Sequence, residues 1–169
     1  MLHVHINIGS NLGDREDNIR RAVASLRQLA VDVSEVCVSG FVTSPPWGYK
    51  SASEFLNVGI SFDTDLTPQE LLQATQSIEQ SISTASHRAA DGTYIDRLID
   101  IDIIACATFH DILPDSTPTL GQLSHLKLME IHAPELTLPH PRAHLRDFVI
   151  SPLREIDPTL HKLLTERQL

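Results

Sequence analysis

Two stretches of strict alternation constrain this chain more than anything else in it. Between Phe55 and Asp63, the residues Leu56, Val58, Ile60 and Phe62 alternate with Phe55, Asn57, Gly59, Ser61 and Asp63. Between Ile99 and Ile103, three isoleucines alternate with Asp100 and Asp102. Successive side chains of a strand leave opposite faces of the sheet, so each stretch has an apolar and a polar face. Both predict a sheet that is packed on one side and keeps polar chemistry on the other.

The intervening sequence supplies the rest of the layer. Val4, Ile6 and Ile8 alternate with His3, His5 and Asn7 as a first strand. Beyond Asp14, an N-cap candidate, Ile19, Ala22, Val23, Leu26, Leu29 and Ala30 recur at helical spacing. A strand is expected over Ser34–Thr43, then a proline-stiffened loop from Ser44 to about Glu54. Thr67-Pro68-Gln69-Glu70 is a capping box opening a helix through Leu71, Ala74, Thr75, Ile78 and Ile82. Asp91-Gly92 marks a turn before a strand from Leu98 to about Ala105. The order is βαββαβ, so the expected class is α+β: a ferredoxin-like core, mainly antiparallel, with both helices on one face and the functional site on the other. Residues 109–134 read as an insertion with one short helix in the weak periodicity of Leu120, Leu123, Leu126 and Leu128, Phe148–Leu153 as a last short strand or extended edge, and Pro158–Leu169 as a terminal helix. The 169 residues are expected to form one domain.

Composition narrows the function classes. A formal charge of −9 argues against a nucleic-acid binder, and an acidic protein that handles polyphosphate needs metal ions or a local arginine cluster. Cys37 and Cys106 lie far apart in apolar surroundings, which predicts buried free thiols of a reducing compartment. Met1–Gly9 alternates in polarity and is not built like a signal peptide, and no apolar run reaches membrane-spanning length. The expected setting is the cytoplasm, with no membrane or nucleic-acid partner, as a monomer or weak homodimer.

Asp100 and Asp102 face the same way, about 7 Å apart at ~3.3 Å per residue. Such a pair brackets hard cations such as Mg²⁺, which take oxygen ligands and share their shell with water and phosphates. The competing reading is a solvated strand face. Phe55 and Asn57 leave their strand together, a plate and a planar amide suited to a flat heterocycle; alternatively, they plug the core edge and tie down a loop. Arg97, Arg142 and Arg146 could neutralise a transferring phosphoryl group, although strict alternation places Arg97 on the isoleucine side unless it stands at the strand mouth. His132, His140 and His144 make a poor zinc motif, with no cysteine near and prolines at 139 and 141. The segment Gly9–Gly13 lacks a Walker lysine and reads as a tight turn.

Four blocks, taken in order, resemble the 6-hydroxymethyl-7,8-dihydropterin pyrophosphokinase family. They are Ile8-Gly9-Ser10-Asn11-Leu12-Gly13-Asp14-Arg15; Ser44-Pro45-Pro46-Trp47-Gly48 with Phe55-Leu56-Asn57; Asp96-Arg97-Leu98-Ile99-Asp100-Ile101-Asp102; and Leu138-Pro139-His140-Pro141-Arg142 with Arg146-Asp147-Phe148 and Pro152-Leu153. The resemblance implies pyrophosphate transfer from ATP to the hydroxymethyl group of the dihydropterin, in folate biosynthesis, with two Mg²⁺ ions. It implies Asp100 and Asp102 as metal ligands, and these two with Arg97 as the catalytic residues. Ser44, Pro45, Trp47, Phe55, Asn57 and Phe148 would hold the pterin. Gln76, Glu79, Arg97, Ile103, Thr137, His140 and Arg146 would hold ATP.

The chain departs from the family pattern at Ser83-Thr84, where members carry Gly-Arg, and at Gly92–Arg97, where Trp-Gly-Pro-Arg is common. The first departure keeps a second reading open, a catalytically weakened paralogue that binds pterin or nucleotide, unless Arg88 replaces the missing charge. Some other magnesium-dependent transferase would explain the aspartates but not Phe55-Leu56-Asn57.

Overall fold

The computed structural model describes residues 1–84, 88–109 and 126–166. Its sheet contains β1 (Leu2–Ser10), β2 (Cys37–Val38), β3 (Val42–Ser44), β4 (Phe55–Thr64), β5 (Asp100–Phe109) and β6 (Leu126–Leu128), in the order β2-β4-β1-β5-β6 with β3 also on β4. Every pairing is antiparallel. A separate ribbon joins β7 (Ile131–His132) to β8 (Thr137–Leu138). Helices α1 (Arg15–Arg27) and α2 (Pro68–Ile82) occupy their expected places, and α3 (Asp147–Ile156) and α4 (Pro158–Glu166) complete the chain. Among the described residues no helix is long and apolar enough to cross a membrane.

Local chemistry explains the helix starts. Asp14 accepts the Asp17 N–H at 3.0 Å, and Thr67 and Glu70 form the reciprocal capping box behind Pro68. Both helices lie on the apolar face, where Val4, Ile6, Ile8, Val58, Ile60, Phe62, Ile99, Ile101 and Ile103 form one core with Ile19, Leu26 and Leu71. The alternation seen in the sequence therefore sorts the two faces correctly.

Five expectations need correction. The strand over Ser34–Thr43 is broken: a single 3₁₀ turn at Val33–Glu35 is capped by Asp32, and β2 and β3 flank Gly40. At the break the Gly59 N–H bonds the Ser39 hydroxyl, so a side chain takes over part of the ladder. Phe148–Leu153 is helical, because Val149, Pro152 and Leu153 share a buried face at spacing i, i+3, i+4. The polar face is accordingly not left open: α3 and α4 cover its far part through a second core containing Ile104, Ala105, Ala107, Val149, Leu153, Leu160 and Leu164. Cys106 is buried but Cys37 is exposed, and both are free. Of the helix expected around Leu120, Leu123, Leu126 and Leu128, the first two residues lie outside the described ones, whereas Leu126–Leu128 is a strand, drawn out by its ladder to the edge of β5 at Ala107–Phe109.

Strand β5 serves both cores through a β-bulge. His5 opposes Ala105 and Ile6 opposes Ile103, leaving Ile104 as the extra residue. Ile103 packs with α1 and α2, whereas Ile104 and Ala105 both turn towards α3 and α4.

The docking of α3 depends on a missing side chain. A Cβ on Gly59 would lie 2.7 Å from His5 Cε1 and 2.8 Å from Pro152 Cβ. We expect Gly59→Ala to cost about 1–3 kcal/mol, as overpacking does elsewhere, measured by urea unfolding; an unchanged midpoint with an unchanged slope would refute this close-packing role.

A buried ionic knot anchors the other end of the same helix. His3 donates to Asp63 at 2.6 Å and to Asp157 at 2.7 Å, joining β1, β4 and the α3–α4 junction. Burial disfavours the charged ring, but the bonds to Asp157 and Asp63 outweigh it and raise the His3 pKa above the usual 6.5. Burial likewise opposes the Asp157 charge, yet His3 holds that pKa below its usual value. His5 is different: burial drives its pKa down to about 4. A raised histidine pKa stabilises the fold fully below pH 6.5 and ceases to do so as pH rises through the folded value. A depressed one makes the unfolded chain take up the proton first, so stability falls as pH drops from 6.5 towards 4. Loss of the Asp157 charge adds to this only below its unperturbed 3.8. The contributions of His3 and His5, taken together, peak near pH 6.5. His3→Gln should flatten the alkaline limb of the urea midpoint against pH, and an unaltered limb would exclude His3 as its source.

Candidate active site

Strand register lays out the floor of a cleft at one end of the sheet. Asn57, Gly9 and Asp100 are cross-strand partners in one row, and Gly59, Asn7 and Asp102 form the next. All lie on the polar face, by the parity that puts Val58, Ile8 and Ile101 in the core. Gly9 leaves the first row hollow: a Cβ there would lie 3.0 Å from Asn57 Oδ1 and 3.3 Å from the Phe55 ring. Above this floor is a cleft of about 250 Å³.

Its walls come from loops that flank the strands. Ser44, Pro45 and Trp47 form one side, joined by Phe55 from β4. Phe148, at the start of α3, and Arg146 just before it form another, with His140 beside them. Arg88, Tyr94 and Arg97 close the third. Asn57 is fixed by donating to Val42 O at 3.1 Å and Ser44 Oγ at 2.9 Å. His140 is fixed through its backbone, whose N–H bonds Ile104 O at 2.8 Å across the outer edge of β5.

Charge in the cleft is ordered by stacking as much as by pairing. Arg97 lies 3.2 Å from Asp100 and stands over the Phe55 ring at 5.5 Å and the Tyr94 ring at 5.3 Å. Arg146 lies 3.8 Å from Asp102 and over Trp47 at 4.6 Å and Phe148 at 5.8 Å. Arg88 stacks on Tyr94 at 4.3 Å and donates to its hydroxyl at 3.0 Å. Stacking in this way fixes the plane of each guanidinium group. Buried polar atoms with no partner among the described residues include Arg97 Nε, Arg146 Nε and Asn7 Oδ1. Such atoms are costly to leave unmade and mark where a polar ligand belongs.

Protonation follows from burial. Desolvation pushes the Asp102 carboxyl up against the pull of Arg146 and Arg97. His140 is driven down to about 4 by burial first and then by Arg146 and Arg142, so its ring is neutral at pH 7. Its Nδ1 accepts the Arg142 N–H at 3.2 Å, which leaves the proton on Nε2. Glu79 lies outside the cleft lining, beside the outer edge of β5, where it accepts the Ile101 N–H at 2.7 Å. Burial, added to by Asp100 and Asp102, raises its pKa to about 7 although the Ile101 bond opposes the shift.

The cleft thus gathers Ser44, Pro45, Trp47, Phe55, Asn57, Arg97, Asp100, Asp102, His140, Arg146 and Phe148 from the sequence-predicted set. Gln76, Ile103 and Thr137 lie outside its lining, as does Glu79. Arg97 resolves its parity problem by preceding β5, whose first residue is Asp100. Asn7, Gly9 and Tyr94 were not predicted as site residues. The strand parity of His3, His5 and Asn7 could have found Asn7, but nothing in the polar stretch before Arg97 marks Tyr94. No cluster of three or more His, Cys, Asp or Glu suited to a metal occurs among the described residues.

Comparison with known proteins gives a consistent answer. Residues 5–158 match the family model for 7,8-dihydro-6-hydroxymethylpterin-pyrophosphokinase. The chain is 35% identical to the 2-amino-4-hydroxy-6-hydroxymethyldihydropteridine pyrophosphokinase of Porphyromonas gingivalis over 162 residues, covering 95% of each chain. It is 33% identical to the protein of that name from Bacillus subtilis, covering 97% of this chain and 83% of the other. With the Mycobacterium tuberculosis protein it shares 35% identity, over 94% of this chain and 74% of the other. This chain belongs to the 7,8-dihydro-6-hydroxymethylpterin pyrophosphokinase family, and its activity is pyrophosphate transfer to hydroxymethyldihydropterin in folate biosynthesis.

Proposed function

We propose that the cleft performs this transfer with the pterin over Asn57 and Phe55 and the phosphates of ATP over Asp100 and Asp102. The observation that carries the assignment is the row Asn57–Gly9–Asp100. It sets a ring-recognising amide and an acidic pair two strand spacings apart, roughly 10 Å, with a glycine hollow between them. That is the scale of a bicyclic ring with its hydroxymethyl arm.

On the pterin side, Asn57 donates its amide hydrogens to Val42 and Ser44, so Oδ1 is left to accept from the donor edge of the ring, its amino group and ring N–H. Phe55 and Phe148 sandwich the ring, and Ser44, Pro45 and Trp47 close around its edge. On the phosphate side, Arg97 and Arg146 direct fixed guanidinium forks at the chain of phosphates, and the Nε2 proton of neutral His140 donates to an oxygen. The rest of the nucleotide passes the outer edge of β5, towards Gln76, Glu79, Ile103 and Thr137. Arg88, stacked on Tyr94 in the cleft wall, brings a charge where Thr84 lacks one, which favours an active enzyme over a weakened paralogue.

The pterin hydroxymethyl oxygen forms a bond to the β-phosphorus of ATP, the α–β bridging bond breaks, AMP leaves and the hydroxyl proton is released. Such a reaction asks the protein mainly for alignment and charge neutralisation. Asp100 and Asp102 suit Mg²⁺, which takes one or two carboxylates and completes its shell with water and phosphate oxygens; the unpartnered Asn7 Oδ1 beside Asp102 adds an oxygen to the donor set. Two bound Mg²⁺ ions supply charge neutralisation along the phosphates.

An assay for AMP formed from ATP, hydroxymethyldihydropterin and Mg²⁺ should show pterin-dependent turnover. Asp102→Ala should reduce it at least a hundredfold, the order expected for lost electrostatic stabilisation, with an unchanged circular-dichroism spectrum. Near-normal turnover of that variant at limiting Mg²⁺ would displace the metal site from this strand. Phe148→Ala should weaken pterin binding by about 0.5–1.5 kcal/mol beyond the loss of buried area, with a smaller effect on ATP in calorimetry. Equal losses for both ligands would remove Phe148 from the pterin side.

A further inference from the structure

Asp96, the residue just before Arg97, is the centre of a network of its own. Its Oδ1 accepts from Asn11 Nδ2 at 2.8 Å and from the Tyr49 hydroxyl at 3.0 Å, and its Oδ2 accepts from Ser51 Oγ at 2.9 Å. Asn11, buried in the turn after β1, completes the knot by donating also to Ser53 O at 3.1 Å. It brackets the next residue as well: the Arg97 N–H bonds Asn11 Oδ1 at 2.8 Å, and the Asn11 N–H bonds Arg97 O at 3.1 Å. Three segments are thereby fastened to one carboxylate: the Gly9–Gly13 turn, the loop running on from Ser44–Trp47, and the entry to β5. Burial disfavours the Asp96 charge, but the bonds from Ser51, Asn11 and Tyr49 keep its pKa below the usual carboxylate value.

Neither Asp96 nor Tyr49 lines the cleft. Whatever they contribute to turnover must pass through residues that do, and the knot holds one lining residue, Arg97, on both its N–H and its C=O. We propose that Asp96 is a positioning residue for the transfer, locking the loop on the pterin side to the backbone that aims Arg97 at the phosphates. This rests on the assignment of Arg97 to the phosphates made above. The pterin side and the phosphate side of the cleft are then kept in register by a single side chain.

The test is a double-mutant cycle on the full chain, reading kcat and KM for hydroxymethyldihydropterin, with melting temperature as a control. Asp96→Ala, which removes the three bonds accepted from Asn11, Tyr49 and Ser51, should lower kcat about tenfold or more, and Tyr49→Phe, which removes the bond to Asp96 and the one accepted from Asn11, by roughly two- to tenfold. The pterin KM should rise in both. In the Arg97→Ala background the kcat losses should vanish while the KM effect remains. Losses that multiply fully with Arg97→Ala, or variants that only lower the melting temperature at unchanged kcat and KM, would overturn the positioning role. Tyr49→Phe keeps the cycle decisive if Asp96→Ala does not fold. An Arg97→Ala enzyme with normal kcat would overturn the assignment of Arg97 itself, and is distinguished because that single variant reports it.

Discussion

The contact on which most of this molecule depends is the approach of α3 to the sheet at Gly59. Because Gly59 has no side chain, Pro152 and His5 meet over β4, and the helix lies closer to the strands than any larger residue would permit. That depth fixes the near end of the helix, where Phe148 faces the cleft and Arg146 stands just before it. It also fixes the far end, where Asp157 meets His3. Packing at one point of the sheet thus sets both the second aromatic wall of the active site and the buried ion pair that shapes the pH dependence of the fold.

The active site shows how an acidic protein handles a polyanion. Its net charge of −9 is spread over the whole chain, whereas the cleft gathers Arg88, Arg97 and Arg146 beside only Asp100 and Asp102. Local geometry, not overall charge, decides the field that a ligand meets. Each guanidinium is held against an aromatic face, which sets its plane within the cleft. Trp47 illustrates the arrangement, with Arg142 at 5.3 Å and Arg146 at 4.6 Å from its ring.

Much of this was legible from strand parity. The alternation around Asn57 and around Asp100 correctly sorted core from cleft, and cross-strand register then brought the two stretches into one row. Capping residues located α1 and α2 because Asp14 and Thr67 act within one turn of sequence. What escaped notice depends on partners distant in sequence. Phe148–Leu153 is too short for its pattern to separate helix from strand, and its identity is settled by packing on Gly59. The break at Gly40 needed the Ser39–Gly59 bond, and Tyr94 acquires its role only by lying under Arg88 and Arg97. Glu79 was implicated by family resemblance; its contact with the edge of β5 could not be read from its own neighbours.

The bulge at Ile104 has a bearing on how this fold tolerates change. In a regular strand the side chains keep a single beat from end to end, so a residue gained or lost anywhere inverts everything beyond it. Here the beat is reset between the aspartates and the alanines that lie under α3 and α4. The acidic half and the packing half of β5 are separate modules joined by a spacer, and each can drift in composition without dragging the other out of phase. A strand that serves chemistry at one end and structure at the other has, in that one extra residue, the means to let the two evolve apart.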